Sequence, residues 1–247
     1  MNVLVCIKRV PATAGKITLT ADEQEIDTRY LGFTVSPHEE CAVEEAVRIG
    51  GETTVLTLGP RAAEEQLRNA LAMGIDTSIL LETAVGDWSP EATAAAIADA
   101  VRGRRFDLLL FGNEAADTGD YQVAVRVAHA LGAPCVTAVK GIEVRDGGVT
   151  ARREASGGWE IFELPLPAVI SVKEGLNLPR YPSLQGRLRA KKAPVETLPV
   201  SPRPSQLEKV RLVVPEEAPS AVEILGTGAD AAPRVVEVLR DLGVVGS

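Results

Sequence analysis

Short apolar runs alternate with stretches of helical periodicity through the first half of the chain, and this alternation restricts the fold more than any other feature. Five runs predict buried strands: VLVCI (3–7), TTVLTLG (53–59), SILLE (78–82), DLLLFG (107–112) and PCVTAV (134–139). Strands that alternate with helices form βαβ units, whose strands lie parallel in one sheet. We therefore predict an α/β, Rossmann-like parallel sheet with helices on both faces.

The segments between the predicted strands carry helix signals. Residues 61–74 end at Gly74, a favourable residue at a helix C-terminus. Residues 89–103 begin with Ser89 as an N-cap and Pro90 at the first helical position. The helix predicted at 37–50 has an apolar face and a polar face, formed respectively by Cys41, Ala42, Ala46 and Ile49, and by Glu40, Glu44 and Arg48.

The pattern changes after residue 140. Turn sequences at 146–148 and 157–158 predict antiparallel hairpins, and PAVISV (167–172) predicts one more strand. A series of prolines then indicates an extended C-terminal arm, and a short helix is predicted at 232–243. We therefore predict a nucleotide-binding α/β domain at 1–193, and at 194–247 an arm with a terminal helix. The prolines are Pro194, Pro199, Pro202, Pro204, Pro215 and Pro219.

Composition restricts the partners and the compartment. The net charge of −8 argues against a nucleic-acid partner, which requires a broad basic surface. Cys6, Cys41 and Cys135 form no CxxC pair, so the sequence indicates neither a zinc site nor a redox dithiol. No run approaches the roughly 18 apolar residues of a membrane helix, and the apolar N-terminus is too short for a signal peptide. We expect no membrane insertion and a location in the cytoplasm, or in a mitochondrial matrix.

Two glycine-rich motifs carry weak signals. SGGWEI (156–161) is similar to the SGGxDS loop of ATP pyrophosphatases, but Glu160 and Ile161 replace its last two residues and it lies in a predicted hairpin. GTGADAA (226–232) matches dinucleotide-loop spacing, yet the chain ends before the second strand and acidic residue of that motif. We interpret the first as a turn and the second as accidental.

The loop between the strand at 107–112 and the next helix is more informative. Residues 112–132 join the carboxyl end of a buried strand to a helix N-terminus, where N–H groups can receive a phosphate. An ordinary βα loop with Asp120 as the N-cap explains the same residues. His38 and His129 lack metal-ligand companions, and no Ser/His/Asp or Cys/His set can be assembled. Any chemistry is therefore expected from a bound cofactor.

Several segments together resemble the β subunit of electron transfer flavoprotein. They are VLVCIKRVP (3–11), SPHEECAVEEAVRI (36–49), LRNALAMGID (67–76) and LPAVISVKEGLNLPRYPSLQGRLRAKK (166–192). The resemblance implies an adenine nucleotide α-hydrolase-like fold and a non-catalytic subunit that pairs with an α subunit. It implies one FAD held mainly by α, with His38 near the flavin, and a structural AMP in this chain. A second FAD in place of AMP, with electron bifurcation, is the alternative.

The resemblance also implies nucleotide contacts at the carboxyl ends of the strands. The positions that match are Cys6, Ser36, Pro37, His38, Glu39, Leu58, Gly112, Asn113, Glu114, Ala115, Ala116, Asp117, Thr118, Gly119, Asp120, Tyr121, Gln122 and Val123. The family commonly has Asn-Pro where Ser36-Pro37 stands, and small residues or glycine where Tyr121 and Ala124 stand.

The same resemblance explains why this acidic chain has a basic segment. Residues 180–192 contain five basic residues and no acidic one. In the family, a recognition loop near 176–192 docks on flavin dehydrogenases, and a quinone-linked oxidoreductase accepts the electrons. Tyr181, Leu184 and Arg187 are the implied docking residues, with Leu184 as an exposed anchor in a non-helical loop.

Two proteins of other classes remain as alternatives. A stand-alone nucleotide sensor of the universal-stress type would share the parallel sheet, but it needs neither a recognition loop nor a C-terminal arm. An ATP pyrophosphatase would need an intact SGGxDS loop after its first strand, which SGGWEI (156–161) does not supply.

Overall fold

The computed structural model describes residues 1–13, 17–84, 86, 88–201, 209–215 and 222–245. Pro202, Pro204 and Pro219 of the predicted arm lie outside these residues. The strands are β1 (Asn2–Ile7), β2 (Val10–Pro11), β3 (Phe33–Thr34), β4 (Glu52–Gly59), β5 (Thr77–Glu82), β6 (Leu108–Gly112), β7 (Cys135–Arg145), β8 (Gly148–Ala155), β9 (Gly158–Pro165), β10 (Ala168–Val172) and β11 (Glu196–Pro199). The helices are α1 (Pro37–Ile49), α2 (Glu64–Met73), α3 (Pro90–Val101), α4 (Val123–Leu131), α5 (Leu184–Lys192) and α6 (Ala232–Asp241).

Nine of the described strands form one sheet in the order β11-β5-β4-β1-β6-β10-β7-β8-β9. Neighbours from β11 to β7 are parallel, whereas β7, β8 and β9 form antiparallel hairpins. This arrangement confirms the predicted Rossmann-like parallel sheet and its hairpin extension. The strands β2 and β3 form a separate two-stranded ribbon.

The two faces of the sheet bury two separate cores because side chains alternate along each strand. Val3 and Val5 of β1 pack in one core with Leu67 of α2. Leu4 and Cys6 pack in the other core, which includes residues of α3 and α4. The connections through α1 and α2 therefore cover one face, and those through α3 and α4 cover the other. The sheet order reverses at β1, which is the topological switch point.

The helix N-termini agree with the sequence in two cases and differ in a third. Ser36 and Glu39 form a capping box at α1, and Ser89 Oγ accepts a hydrogen bond from Ala92 N at 3.1 Å in α3. Asp120 is not the N-cap of α4, so the capping role predicted for it is wrong. The N-cap is Gln122, which makes no side-chain capping bond.

The region after β10 differs from the prediction in two ways. Residues 184–192 form the helix α5, capped by Ser183, so Leu184 does not lie in a non-helical loop. Glu196–Pro199 pairs with β5 at the edge of the sheet, so the predicted arm begins with a sheet strand. Contacts divide the chain into units of 1–211 and 212–247, and the boundary therefore lies after the predicted 193/194. The backbone pairing of β11 with β5 extends the first unit, although prolines lie on either side of this pairing.

The second unit contains α6, as predicted, preceded by a 3₁₀ turn at Gly228–Ala231. No described residue of α6 is buried in this chain. Its apolar residues Val235 and Val236 are therefore available to another surface, together with Leu242 after the helix.

Candidate functional site

A cavity of about 220 Å³ opens at the carboxyl ends of β1, β4 and β6. It is much larger than the roughly 10–15 Å³ that one water molecule needs. The crevice at a topological switch point is where open α/β sheets bind their ligands. Leu56, Phe111 and Ile97 contribute to its lining from the core on the face of the sheet that α3 and α4 cover.

Most of the residues predicted to contact a nucleotide lie around this cavity. Those that line it are Cys6, Glu39, Leu58, Gly112, Asn113, Glu114, Ala115, Asp117, Thr118, Asp120, Tyr121, Gln122 and Val123. Five others lie outside its lining, namely Ser36, Pro37, His38, Ala116 and Gly119. Residues distant in sequence are thus brought together, and their contact with a nucleotide stays a prediction.

The loop between β6 and α4 is fixed at its start and sharply turned at its end. Asn113 Oδ1 accepts hydrogen bonds from Ala138 N at 2.9 Å and from Ser171 Oγ at 3.0 Å. Gly119 and Tyr121 have φ angles of 59° and 57°, in the left-handed region that is uncommon for a tyrosine. This turn brings the uncapped N-terminus of α4 to the cavity, where its N–H groups can bind an anion.

A buried carboxylate lies at the floor of the cavity. Glu39 Oε1 accepts a hydrogen bond from Lys8 N at 2.9 Å, and Oε2 accepts one from Ser36 N at 3.1 Å. Burial raises the pKa of Glu39 to about 8, although these hydrogen bonds oppose the rise. A Cβ atom at Gly112 would lie 2.6 Å from Glu39 Cγ, so the carboxylate occupies its place only because residue 112 is glycine.

A salt bridge bounds the polar side of the cavity. Lys8 Nζ lies 2.8 Å from Asp117 Oδ1, and Lys8 is about two-fifths exposed at 41%. The ammonium group therefore keeps donors that a ligand oxygen could use. Burial, with the nearby Glu39 charge, raises the pKa of the Cys6 thiol, so this cysteine is not activated as a nucleophile.

His38 lies beside the cavity and not in its lining. Its Nδ1 accepts a hydrogen bond from Glu174 N at 2.7 Å, so Nδ1 carries no proton in this geometry. The neutral ring then has its proton on Nε2, which lies 3.2 Å from Glu114 Oε1 and can donate to it. The two bonds fix both the tautomer and the orientation of the imidazole.

Sequence reasoning missed several residues that line the cavity. Lys8, Arg9, Leu56, Gly59, Pro60, Gly86, Trp88, Pro90, Thr93, Ile97, Phe111 and Ala124 also contribute to its surface. Lys8 and Pro60 directly follow β1 and β4, so the rule that ligands bind at the carboxyl ends of strands would have found them. Trp88 had no such signal because it lies in the connection between β5 and α3, several residues after the strand, and Ile97 had none because it lies in the middle of α3.

The segment predicted to dock on other proteins projects from the opposite face of the sheet. Tyr181 and Leu184 are exposed, Leu184 by 75%, and Arg187 is exposed beside them. Gly186 and Ala190 lie on the other side of α5, against α2, where a Cβ at residue 186 would be 2.3 Å from Ala72 O. The small residues let α5 approach α2 closely.

Glu44, predicted on the polar face of α1, is in fact buried beneath this segment. Its carboxylate pairs with Arg180, and Arg68 Nη1 donates to Ala190 O at 2.7 Å near the end of α5. Both interactions hold the docking segment on α1 and α2.

Within the described ranges, no three His, Cys, Asp or Glu side chains are grouped so that they could hold a metal ion. No helix in this part of the chain is long and apolar enough to cross a membrane.

Comparisons with known proteins agree with the fold. Residues 25–203 match the family described as Electron transfer flavoprotein domain. Over 248 aligned residues the chain is 34% identical to electron transfer flavoprotein subunit beta of Syntrophomonas wolfei, covering 98% of this chain and 96% of that protein. It is 32% identical to the subunit of the same name from Bacillus subtilis, covering 97% and 98% of the two chains. With the subunit of Dictyostelium discoideum the identity is 33%, over 97% of each chain. This chain therefore belongs to the electron transfer flavoprotein β-subunit family.

Proposed function

We propose that the chain carries electrons, with an α subunit, from flavin dehydrogenases such as acyl-CoA dehydrogenases to a quinone-linked oxidoreductase. The family and the names of the relatives support electron transfer and an α partner. In this proposal the chain is a carrier subunit and not an enzyme. It works in the cytoplasm, or in the mitochondrial matrix if its source is eukaryotic.

One structural observation carries the nucleotide part of the proposal: the cavity lies at the switch point and under the N-terminus of α4. We propose that it binds AMP, with the phosphate on the N–H groups of the turn at 120–123. The base would lie at the apolar end, near Leu58 and Ile97. Nucleotide binding here is structural and involves no bond breaking.

The donor set of the cavity fits this orientation. A phosphate needs hydrogen-bond donors, which the N-terminus of α4 supplies, whereas the carboxyl oxygens of the buried Glu39 can accept a hydrogen bond from a ribose hydroxyl. Lys8 lies at the polar side, where its ammonium can approach the phosphate. These donors direct the phosphate of the nucleotide toward α4 and away from Glu39.

We propose that FAD is shared with the α subunit, which holds most of it. When bound, the isoalloxazine ring of FAD accepts and releases the electrons. His38 is the residue of this chain expected to cover the flavin, and its fixed Nε2–H tautomer gives it a defined donor. The exposed apolar residues Val235, Val236 and Leu242 support the proposal that the C-terminal unit packs on α.

Docking on dehydrogenases is proposed for the exposed face of α5 and the segment before it. Leu184 and Leu188 are four residues apart, so they lie on one helical face, and they are 75% and 57% exposed. Exposed apolar residues so close together mark an interaction surface. Arg187 and Lys191, also four residues apart, provide positive charge that can steer an acidic partner.

Purification of the chain with and without its α subunit, followed by denaturation and mass identification of the released nucleotides, tests the cofactors. We expect one FAD and one AMP per heterodimer, and little flavin on this chain alone. Two FAD molecules per heterodimer would instead support electron bifurcation with a second flavin in the cavity. Stoichiometric flavin on the chain purified without α would contradict the shared site.

A further inference from the structure

Trp88 lies between two cavities and lines both of them. One side of this half-buried residue lines the cavity at the strand ends, with Leu58 and Ile97. It also lines a second cavity of about 230 Å³ between α3 and β11, whose other walls include Ala96 and Leu198. The indole therefore closes the apolar end of the candidate nucleotide site.

The indole nitrogen of Trp88 has an unsatisfied donor. Nε1 is buried and makes no hydrogen bond with any residue that the structure describes. Buried tryptophan N–H groups usually have an acceptor, because leaving one unpaired is unfavourable. The cavity lining includes Leu58, Pro90 and Ile97, whose side chains have no acceptor, and Thr93, whose hydroxyl makes no hydrogen bond to Trp88. A ligand with an acceptor, or a small rotation of the ring, would satisfy the donor.

We propose that Trp88 contacts the base of the bound nucleotide and determines which bases the cavity accepts. This inference rests on the proposed nucleotide site, since the polar end of that cavity leaves only the apolar end for the base. A heteroaromatic base has a π face that can stack on the indole and ring nitrogens that can accept from Nε1. Trp88 is thus assigned a specificity role that is separate from the phosphate contacts at α4.

The position of the Trp88 side chain allows its effect on base binding to be measured separately from any effect on folding. Trp88 follows β5 in the connection to α3, and Ser89, not Trp88, caps that helix. Removing the indole would join two existing cavities and would not expose the helix N-terminus. Loss of base binding is therefore expected without loss of the FAD shared with α.

The test compares Trp88→Phe, Trp88→Ala and Trp159→Phe in the full heterodimer depleted of AMP. The chain has two tryptophans, and the exposed Trp159 on β9 is the matched control. Calorimetric titration with AMP should show roughly tenfold to hundredfold weaker binding for Trp88→Ala and a smaller loss for Trp88→Phe. FAD content and binding by Trp159→Phe should match the unmodified protein.

Fluorescence gives a second readout that does not depend on affinity. AMP should change the tryptophan emission of the unmodified heterodimer and of Trp159→Phe, and the change should disappear in Trp88→Phe. AMP binding to Trp88→Ala as tight as to the unmodified protein would overturn the role of Trp88 and leave the AMP site standing. No binding of AMP to the unmodified heterodimer would overturn the proposed site and this inference together.

Discussion

Arg180 and Glu44 form a bidentate ion pair that joins the docking segment to α1. Nε of Arg180 lies 2.7 Å from Glu44 Oε2, Nη2 lies 2.9 Å from Oε1, and the backbone N–H of Arg180 also donates to Oε2. Burial alone would raise the pKa of Glu44, but the hydrogen bonds and charge of Arg180 outweigh it and lower this pKa. The pair orients the chain just before Tyr181.

Replacing Arg180 should therefore destabilise the protein and loosen the docking segment. Arg180→Ala leaves the buried Glu44 carboxylate without its partner, at a cost of about 2 kcal/mol in the free energy of unfolding. The arginine is partly exposed, so water replaces some of the lost contact. Arg145→Ala removes the exposed pair with Glu143 and should be neutral within error. Denaturant unfolding at pH 7 measures both, and equal effects would contradict a structural role for the Arg180–Glu44 pair.

Gly186 should be required for the close contact of α5 with α2. A methyl group at this position would lie 2.3 Å from the backbone oxygen of Ala72, so Gly186→Ala must displace the helix. We expect about 1–3 kcal/mol of destabilisation. Gly158→Ala is the control, because a Cβ there meets nothing within 4 Å. Hydrogen exchange of the amides in 184–192 should accelerate in Gly186→Ala, and unchanged protection would show that the contact is not needed.

Leu184 should affect partner binding and not folding. Truncation of this exposed side chain opens no core cavity, so Leu184→Ala should leave the melting temperature unchanged. Loss of an anchor should weaken binding of the heterodimer to a dehydrogenase by roughly thirtyfold, about 2 kcal/mol. Val125→Ala, at a 46% exposed apolar residue of α4, provides a control on the other side of the sheet. A lower melting temperature with an unchanged electron-transfer rate would refute the docking role.

Glu39 should make stability depend on pH in the neutral range. Its pKa is about 8 in the folded protein, against roughly 4.3 in an unfolded chain. Between these values the folded state holds more protons, so the free energy of unfolding should fall as pH rises from about 5 to 8. The slope is at most about 1.4 kcal/mol per pH unit. Glu39→Gln should remove this contribution, and parallel pH profiles for the two proteins would contradict it.

The sequence predicted the sheet well because its strands are buried on both faces and read as continuous apolar runs. β1, β4, β5 and β6 were found within one residue at either end. The predicted helices at 37–50 and 89–103 were likewise found, since serine caps and proline at the first helical position act through local geometry.

α5 and β11 were missed because their stability comes from elsewhere in the chain. The sequence of α5 has no continuous apolar face, and prolines before and after it favour a loop. Its helix depends on the fit of Gly186 and Ala190 against α2 and on carbonyl groups bound by Arg68. Glu196–Pro199 lies among prolines, yet it is an edge strand, where a missing N–H on the outer side is tolerated.

Some residues of the candidate site could be predicted from the sequence, because the ends of parallel strands lie at one edge of the sheet. Positions at or just after the end of a strand, such as Gly112 and Lys8, meet at one edge of any parallel sheet. Trp88 reaches the cavity from the connection between β5 and α3, and only the packing of that connection brings it there. The buried position of Glu44 depends on a segment more than a hundred residues away, which periodicity within α1 cannot reveal.

The alternation of side chains along β1 separates the core beneath the docking segment from the core beneath the cavity. Val3 and Val5 support the side that carries the docking helix, while Leu4 and Cys6 support the side that holds the cavity. Apolar substitutions in the core beneath one surface can therefore be accommodated without repacking the core beneath the other. The helix α1 is the element that serves both surfaces, since it carries Glu39 at the cavity and Glu44 under the docking segment.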